Sequence, residues 1–203
     1  LAVADMTGDG LMDIVGVGSA EEEDRVVRTA LAIWTQRRDG TFALAAEYPV
    51  VTWGSAEIHL ADLNKDGRMD VVAWADAAEP TQMVFYQRPG GLLGPPIHLA
   101  PALLPGIGDA AWSGATVFDA DGDGKVDIVI TTGGNVPSAS VVIYAQGADG
   151  TFKTQSGYAA YEIPTLPVAA DMNNDGLLDL VIVHYGWSAV SVHQQRPAQG
   201  LFR

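Results

Sequence analysis

The most informative segment of the sequence is Asp119-Ala-Asp121-Gly-Asp123-Gly124-Lys-Val-Asp127, and the apolar run Ile-Val-Ile follows it directly. Acids stand at positions 1, 3, 5 and 9 of this run, and glycine stands at position 6. Alternate residues of a tight loop can turn their oxygens toward one centre, and a glycine permits the sharp turn between them. Four carboxylates this close repel one another unless a cation lies between them. Oxygen ligands without Cys or His favour Ca²⁺ over a transition metal.

The same nine-residue pattern occurs four times in the chain. The copies start at Asp5, Asp62, Asp119 and Asp171, which are 57, 57 and 52 residues apart. A period of this size is the signature of a repeat architecture. We therefore treat the chain as four repeats, each built around one loop.

Composition is consistent with a globular chain whose acidity belongs to the loops. The 203 residues are 48% hydrophobic, contain no Cys and carry a net charge of −14. The four loops hold 13 of the 25 acids, so four bound Ca²⁺ ions would bring the net charge to −6. This charge argues against nucleic acid or an anionic membrane as the main partner. No apolar run reaches the roughly 20 residues needed to span a bilayer.

Each repeat predicts four short strands. An apolar run precedes the loop, a β-branched run leaves it, a third run follows, and a polar turn leads to a fourth. The turn is clearest at Asp39-Gly40 and Asp149-Gly150, since Asp-Gly between apolar runs is a hairpin signal. In the last repeat only residues 201–203 remain for the fourth strand. Residues 19–28, which include four consecutive acids, are expected to be an insertion between the second and third strands of repeat 1.

Four antiparallel strands per repeat of about 50 residues predict an all-β fold, a β-propeller with four consecutive four-stranded blades, the last incomplete. We expect one propeller region over residues 1–203, with blades at about 1–53, 54–110, 111–162 and 163–203. We also expect the chain to form part of a larger ring, or to close one with another chain.

The loops and the turns together resemble the FG-GAP/VCBS repeat family, the calcium-binding propeller repeats also found in integrin α chains. The resemblance rests on Asp-x-[Asp/Asn]-x-Asp-Gly-x-x-Asp before an apolar strand, and on the Gln-x-x-Asp-Gly-Thr-Phe-like turn. It implies that side chains at positions 1, 3, 5 and 9 and the carbonyl at position 7 bind Ca²⁺. The implied ligands are Asp5, Thr7, Asp9, Leu11 and Asp13; Asp62, Asn64, Asp66, Arg68 and Asp70; Asp119, Asp121, Asp123, Lys125 and Asp127; and Asp171, Asn173, Asp175, Leu177 and Asp179.

The first and third loops mark the extremes of the pattern. Thr7 replaces the Asp or Asn at position 3 of the first loop, so we expect weaker calcium binding there. The third loop carries four carboxylates and should bind most tightly. An EF-hand needs a bidentate Glu at position 12, but that position holds Gly16, Ala73, Ile130 and Ile182 in the four loops.

A ligand is expected on the face opposite the calcium loops, where aromatic residues accompany the strand ends. Trp53 and Trp112 precede inner strands, Trp187 and Tyr185 follow a second strand, and Tyr161 takes a place like that of Trp53. Exposed aromatic planes suit sugar rings or peptide side chains. The alternative is that they pack between blades. We predict Trp53, Trp112 and Trp187 as the ligand anchors.

These observations favour a calcium-stabilised extracellular module that binds carbohydrate or protein, in adhesion or as an accessory domain of a larger secreted protein. The alternative is the propeller scaffold of a secreted polysaccharide-degrading lyase or hydrolase. An enzyme would need an acid–base pair outside the metal loops, and we find only the scattered acids Asp76, Glu79, Asp109 and Glu162. We predict no catalytic residue, and the binding module is favoured.

Overall fold

The computed structural model describes residues 1–20, 28–50, 56–75, 81–99, 112–132 and 139–196. These residues form β-strands, tight loops and one short 3₁₀ helix. Their strands lie in four antiparallel sheets in which each strand pairs with the next one along the chain. The all-β class and the division into four consecutive antiparallel sheets, both predicted from the repeats, are confirmed.

Three sheets have four strands and the last has three within the described residues. Sheet 1 contains β1 (Ala2–Ala4), β2 (Asp13–Ala20), β3 (Arg28–Gln36) and β4 (Phe42–Pro49). Sheet 2 contains β5 (Ala56–Ala61), β6 (Asp70–Ala75), β7 (Thr81–Phe85) and β8 (Ile97–His98). Sheet 3 contains β9 (Trp112–Phe118), β10 (Asp127–Thr132), β11 (Ser140–Gln146) and β12 (Phe152–Ala159). Sheet 4 contains β13 (Pro164–Ala170), β14 (Asp179–His184) and β15 (Ala189–His193), and the 3₁₀ helix Tyr185–Trp187 joins its last two strands.

The chain divides into two compact units, and each has its own core. The unit Leu1–Leu99 holds sheets 1 and 2, and the unit Ala100–Arg203 holds sheets 3 and 4. In the first unit, Val15 and Ile33 of sheet 1 share a core cluster with Val71 and Phe85 of sheet 2. In the second, Val129 and Ile143 of sheet 3 share one with Leu180 of sheet 4. Burying each such side chain contributes about 1.5–3 kcal/mol.

The predicted Asp-Gly turns join β3 to β4 and β11 to β12. Asp39 accepts hydrogen bonds from the Thr41 amide at 3.0 Å and the Thr41 hydroxyl at 2.7 Å. Asp149 holds Thr151 in the same way, at 3.1 and 2.6 Å. Gly40 and Gly150 take positive φ angles of 83° and 75°, which a β-carbon would strain.

Several predicted boundaries were wrong. Ser19, Ala20 and Arg28 were expected in an insertion, but they extend β2 and β3, where Ser19 pairs with Thr29 and Ala20 with Arg28. The strand pairing continues because extending the ladder satisfies backbone groups that a loop would leave to solvent. The acidic residues 21–27 lie outside the described residues.

The inner and outer strands also differ from the prediction. β5, β9 and β13 begin two or three residues before the apolar runs 58–61, 115–118 and 167–170, which predicted the inner strands. The ladder extends because backbone pairing does not require an apolar side chain. β8 comprises only Ile97 and His98, whereas the outer strand was predicted over 97–100; residue 100 lies outside the described residues. Residues 201–203, predicted as the start of the last outer strand, lie outside the described residues. No helix within the described residues is long and apolar enough to cross a membrane.

Candidate metal loops and candidate ligand site

The four Asp-rich loops share one backbone conformation, in which positions 4 and 6 are left-handed. The glycines at position 6 have φ angles of 82° to 86°. At position 4, Gly8 and Gly122 have φ angles of 77° and 78°, and Lys65 and Asn174 have 59° and 61°. Two left-handed residues in a six-residue span fold the chain tightly enough to bring positions 1, 3 and 5 to one side. Loops 1 to 4 each join the first strand of their sheet to the second.

The acid at position 1 holds the loop closed through backbone amides. Its carboxylate accepts from the position-6 glycine amide in all four loops, at 2.8 Å for Asp5, Asp62 and Asp119 and at 3.0 Å for Asp171. The acid at position 5 accepts from the amide of position 7 at 2.9 to 3.0 Å in each loop. Donation from Gly10, the largest cause, holds the pKa of Asp5 below its usual value. The loops are therefore shaped by the same acids that were predicted as ligands.

The acid at position 9 is completely buried in every loop and joins the loop to the third strand. Asp13, Asp70, Asp127 and Asp179 are all 0% exposed. One carboxylate oxygen accepts from the amide at position 2, at 2.9 to 3.1 Å. The other oxygen accepts, at 2.8 to 3.0 Å, from the amide of a glutamine at or just beyond the end of the third strand: Gln36, Gln87, Gln146 and Gln195.

Loop 3 brings three carboxylates close together. Ligand oxygens of Asp119, Asp121 and Asp127 all lie within 4.8 Å of one another. Burial raises the pKa of Asp127 to about 6, and the neighbouring charges of Asp121 and Asp123 act in the same direction, while amide hydrogen bonds oppose it. A divalent cation among these oxygens would remove that electrostatic cost.

Two position-5 acids pair with the basic residue two positions on. Asp123 contacts the Lys125 ammonium, and this hydrogen bond is the largest cause lowering the pKa of Asp123. Asp66 pairs with the Arg68 guanidinium in the same way. The close cluster of loop 3 consists of Asp119, Asp121 and Asp127, and Asp123 is not part of it.

In loop 1, the oxygen without a hydrogen-bond partner belongs to Thr7, the residue that departs from the Asp or Asn pattern at position 3. The buried Thr7 hydroxyl has no hydrogen-bond partner among the described residues. The corresponding oxygens of Asn64, Asp121 and Asn173 accept from the position-5 amide at 2.9 to 3.0 Å. An all-oxygen donor set with a free hydroxyl oxygen fits Ca²⁺. The position-7 carbonyls of Leu11, Arg68, Lys125 and Leu177 stay predicted ligands.

A second candidate site is formed by exposed aromatic rings at one end of sheet 4. Tyr161, Tyr185 and Trp187 are 65%, 76% and 63% exposed. The Tyr161 and Trp187 rings lie 6.3 Å apart. Of the predicted anchors, Trp187 lies in this site; Trp53 lies outside the described residues, and of Trp112 only the backbone, at the start of β9, is described. Of the scattered acids, Glu162 alone is described.

The backbone around these rings is strained. Ile163, Leu166 and Ser188 adopt left-handed φ angles of 50°, 49° and 48°. A left-handed β-branched residue such as Ile163 is a genuine outlier, and conformations of this kind cost about 1–3 kcal/mol each. Gly186 allows the two ring-bearing segments to approach, since a β-carbon there would lie 3.2 Å from the Glu162 β-carbon. Strain of this kind clusters at binding and switch sites.

His184, Ser191 and His193 form a hydrogen-bonded chain next to Tyr161. The His184 Nδ1 lies 3.3 Å from the Tyr161 carbonyl, which can only accept, so the proton of a neutral His184 belongs on Nδ1. The Ser191 hydroxyl then donates to His184 Nε2 at 2.7 Å and accepts from His193 Nε2 at 2.9 Å. Burial, followed by the nearby His184, lowers the pKa of His193.

Sequence reasoning missed this histidine pair because the sequence alone does not show on which face of a sheet His184 and His193 lie. The signal was their spacing. His184 ends β14 and His193 ends β15, and in the pairing of these strands Ile182 lies opposite Ser191 and Leu180 opposite His193. This register puts all three polar side chains on one face.

The comparisons with known proteins agree with the repeat analysis. The family model for the FG-GAP-like repeat matches residues 5–73 and 119–182, and these two ranges contain all four loops. The chain therefore belongs to the FG-GAP-like repeat family. No curated protein matches the chain.

Proposed function

We propose that this protein is a calcium-stabilised β-propeller module that works outside the cell and binds carbohydrate through an aromatic platform on sheet 4. Its four sheets act as consecutive blades of a larger ring. Membership of the FG-GAP-like repeat family supports the propeller architecture, as does the series of four antiparallel sheets, each made of consecutive strands.

Calcium would be held by the side chains at positions 1, 3, 5 and 9 of each loop, with the carbonyl at position 7. The close carboxylates of loop 3 and the free Thr7 hydroxyl of loop 1 support this assignment. The ion supplies positive charge that offsets the repulsion among buried and clustered carboxylates. Extracellular calcium modules bind at about 10⁻⁴–10⁻³ M, which suits the calcium concentration outside cells.

The exposed cluster of Tyr161, Tyr185 and Trp187 is the observation that carries the binding role. The strained backbone beside these rings destabilises the folded chain, and the rings themselves are exposed to solvent. Strained backbone and exposed apolar patches are both typical of binding sites, so we infer that a ligand stacks on the rings. The flat faces of Tyr161 and Trp187 suit the C–H face of a sugar ring. A peptide ligand would use the same rings as anchors.

Trp187→Ala should weaken the ligand by about 1–3 kcal/mol, because aromatic anchors dominate binding at interfaces. A glycan array identifies the sugar, and calorimetry on that sugar measures the loss. Phe42→Ala is the matched control, since Phe42 is an exposed aromatic residue on sheet 1. Equal binding by the Trp187 variant and the control would disprove the platform. Binding only to peptides would replace carbohydrate with protein as the ligand.

A further inference from the structure

The outward face of sheet 4 differs from the matching faces of sheets 1 and 3. Five valines line it: Val168, Val181 and Val192 form one row across the sheet, and Val183 pairs with Val190. Val190 is 63% exposed, and Val168, Val183 and Val192 are exposed as well. An apolar face of this kind, on a protein with a net charge of −14, marks an interaction surface.

The corresponding residues of sheets 1 and 3 are covered by the next sheet. Counted from the last Asp of the loop, Val181 corresponds to Val15 and Val129. Both of these are 0% exposed, and both lie in a core cluster with the following sheet. The loop residue at position 2 follows the same rule: Met6 is 2% and Ala120 0% exposed, whereas Met172 is 52% exposed. Sheet 4 thus has the surface of a sheet whose following neighbour is missing.

The opposite face of sheet 1 has the complementary character. Val3, Ile14, Trp34 and Leu44 form one row across it. The same row in sheet 2 is Leu60, Val71 and Phe85, and these residues pack against sheet 1. In sheet 1, however, Val3 and Leu44 are exposed, as is Leu1 beside them. The chain therefore carries both halves of the sheet-on-sheet contact that it already uses twice.

A side-chain hydrogen bond accompanies each of the two observed contacts. The side-chain amide of Gln87, next to sheet 2, donates to the Met6 main-chain carbonyl in loop 1 at 2.5 Å. The side-chain amide of Gln195, next to sheet 4, donates to the Asp119 main-chain carbonyl in loop 3 at 2.9 Å. Gln36 is the counterpart of these two glutamines in sheet 1. Its backbone amide donates to Asp13, just as the backbone amides of Gln87 and Gln195 donate to Asp70 and Asp179.

We propose that the valine face of sheet 4 docks on the Val3–Leu44 face of sheet 1 in a second copy of this chain. Gln36 of that copy donates to a main-chain carbonyl at the start of loop 4, beside Met172. The contact is head-to-tail, so two copies close into a ring and more copies would form a filament if the rotation does not close. The proposal rests on the blade stacking of the proposed function but not on its calcium sites or its sugar ligand.

Cysteine cross-linking tests the contact directly, because the chain contains no Cys. Val192→Cys is placed on sheet 4 in one protein, and Val3→Cys on sheet 1 in another. Ile33 and Leu60, their counterparts in sheets 1 and 2, belong to one core cluster. Oxidation of the mixture should give a cross-linked dimer in much higher yield than either variant alone. A disulfide that forms only within single chains of a Val3→Cys, Val192→Cys double variant would overturn the proposal.

Light scattering after gel filtration provides the second measurement. We expect the wild-type chain to show twice or more the 21.3 kDa mass of one copy. Val190→Asp should restore the single-chain mass with an unchanged circular dichroism spectrum, and Gln36→Ala should shift the equilibrium in the same direction. Ile97→Asp, an exposed position on β8, is the control and should leave the mass unchanged. A single-chain mass for the wild type at all concentrations would overturn the proposal. Trp187→Ala should not affect the mass, so loss of the sugar site and loss of this contact are separable.

Discussion

The buried aspartates at position 9 show how one residue serves both the fold and the proposed metal site. Asp127 accepts from the Ala120 amide at 2.9 Å and from the Gln146 amide at 2.9 Å, so it ties loop 3 to the end of β11. The same carboxylate lies close to Asp119 and Asp121. Each oxygen of a carboxylate can accept more than one interaction, so the two roles are compatible.

Asp127→Ala should lower the free energy of unfolding even without calcium. The substitution leaves two buried amides without partners, and each unsatisfied buried group costs about 1–3 kcal/mol. Urea denaturation in a chelator measures this loss apart from any effect of the ion. Asp123→Ala is the control, because that side chain lies at the surface of the same loop. A loss no larger for Asp127→Ala than for the control would show that the position-9 hydrogen bonds are dispensable.

Charge at position 3 should set the calcium affinities of loops 1 and 3. Asp121→Asn removes a carboxylate from the close cluster of loop 3, and Thr7→Asp adds one to loop 1. We expect weaker calcium binding from the first change and tighter binding from the second, because ligand charge tunes affinity. Calorimetric titration of the two variants and the wild type measures both shifts. Unchanged affinities in both would exclude these side chains from the sites.

At the scale of elements, the sequence predicted the features that depend on a repeated local pattern of apolar and turn residues. The loops, the Asp-Gly turns and the order of strands could all be predicted because each depends on neighbouring residues. The strand starts at Ala56, Trp112 and Pro164 could not, since these residues do not continue the apolar runs and join a ladder only because a partner strand is present. The ties from Gln87 to Met6 and from Gln195 to Asp119 connect residues far apart in sequence, so no local pattern reports them.

The histidine pair of sheet 4 should make that sheet sensitive to acid. The pKa of His193 is lower in the folded protein than its ordinary value of 6.5. As pH falls through about 6.5, the unfolded chain takes up a proton that the folded chain does not, so the free energy of unfolding decreases. The groups that face His193 are His184, Ser191 and the Tyr158 ring at 5.3 Å, and burial raises the pKa of Tyr158.

His193→Gln should remove this part of the pH dependence. Urea denaturation of the wild type and the variant between pH 7.5 and about 5 would measure the difference, with His98→Gln, an exposed histidine on β8, as the control. The wild type and the control should lose more stability than the variant as pH falls. Parallel pH profiles for all three would contradict a lowered pKa of the half-buried His193.

At the scale of the whole molecule, cations that bind only the folded chain should stabilise it. The net charge of −14 is concentrated in four loops, each shaped by its own carboxylates. A ligand that binds only the folded state stabilises it by about 2.7 kcal/mol per site when its concentration is 100 times the dissociation constant. Four sites should therefore produce a large combined effect on unfolding.

The stabilisation of the fold by calcium is tested by the melting temperature of one preparation in excess Ca²⁺ and in excess chelator. The account predicts a rise of many degrees with calcium, with Mg²⁺ at the same concentration giving a much smaller rise because it demands a stricter octahedral geometry. A quadruple variant with Asn at Asp5, Asp62, Asp119 and Asp171 should lose most of the calcium response. Equal melting temperatures of the wild type in calcium and in chelator would contradict the account.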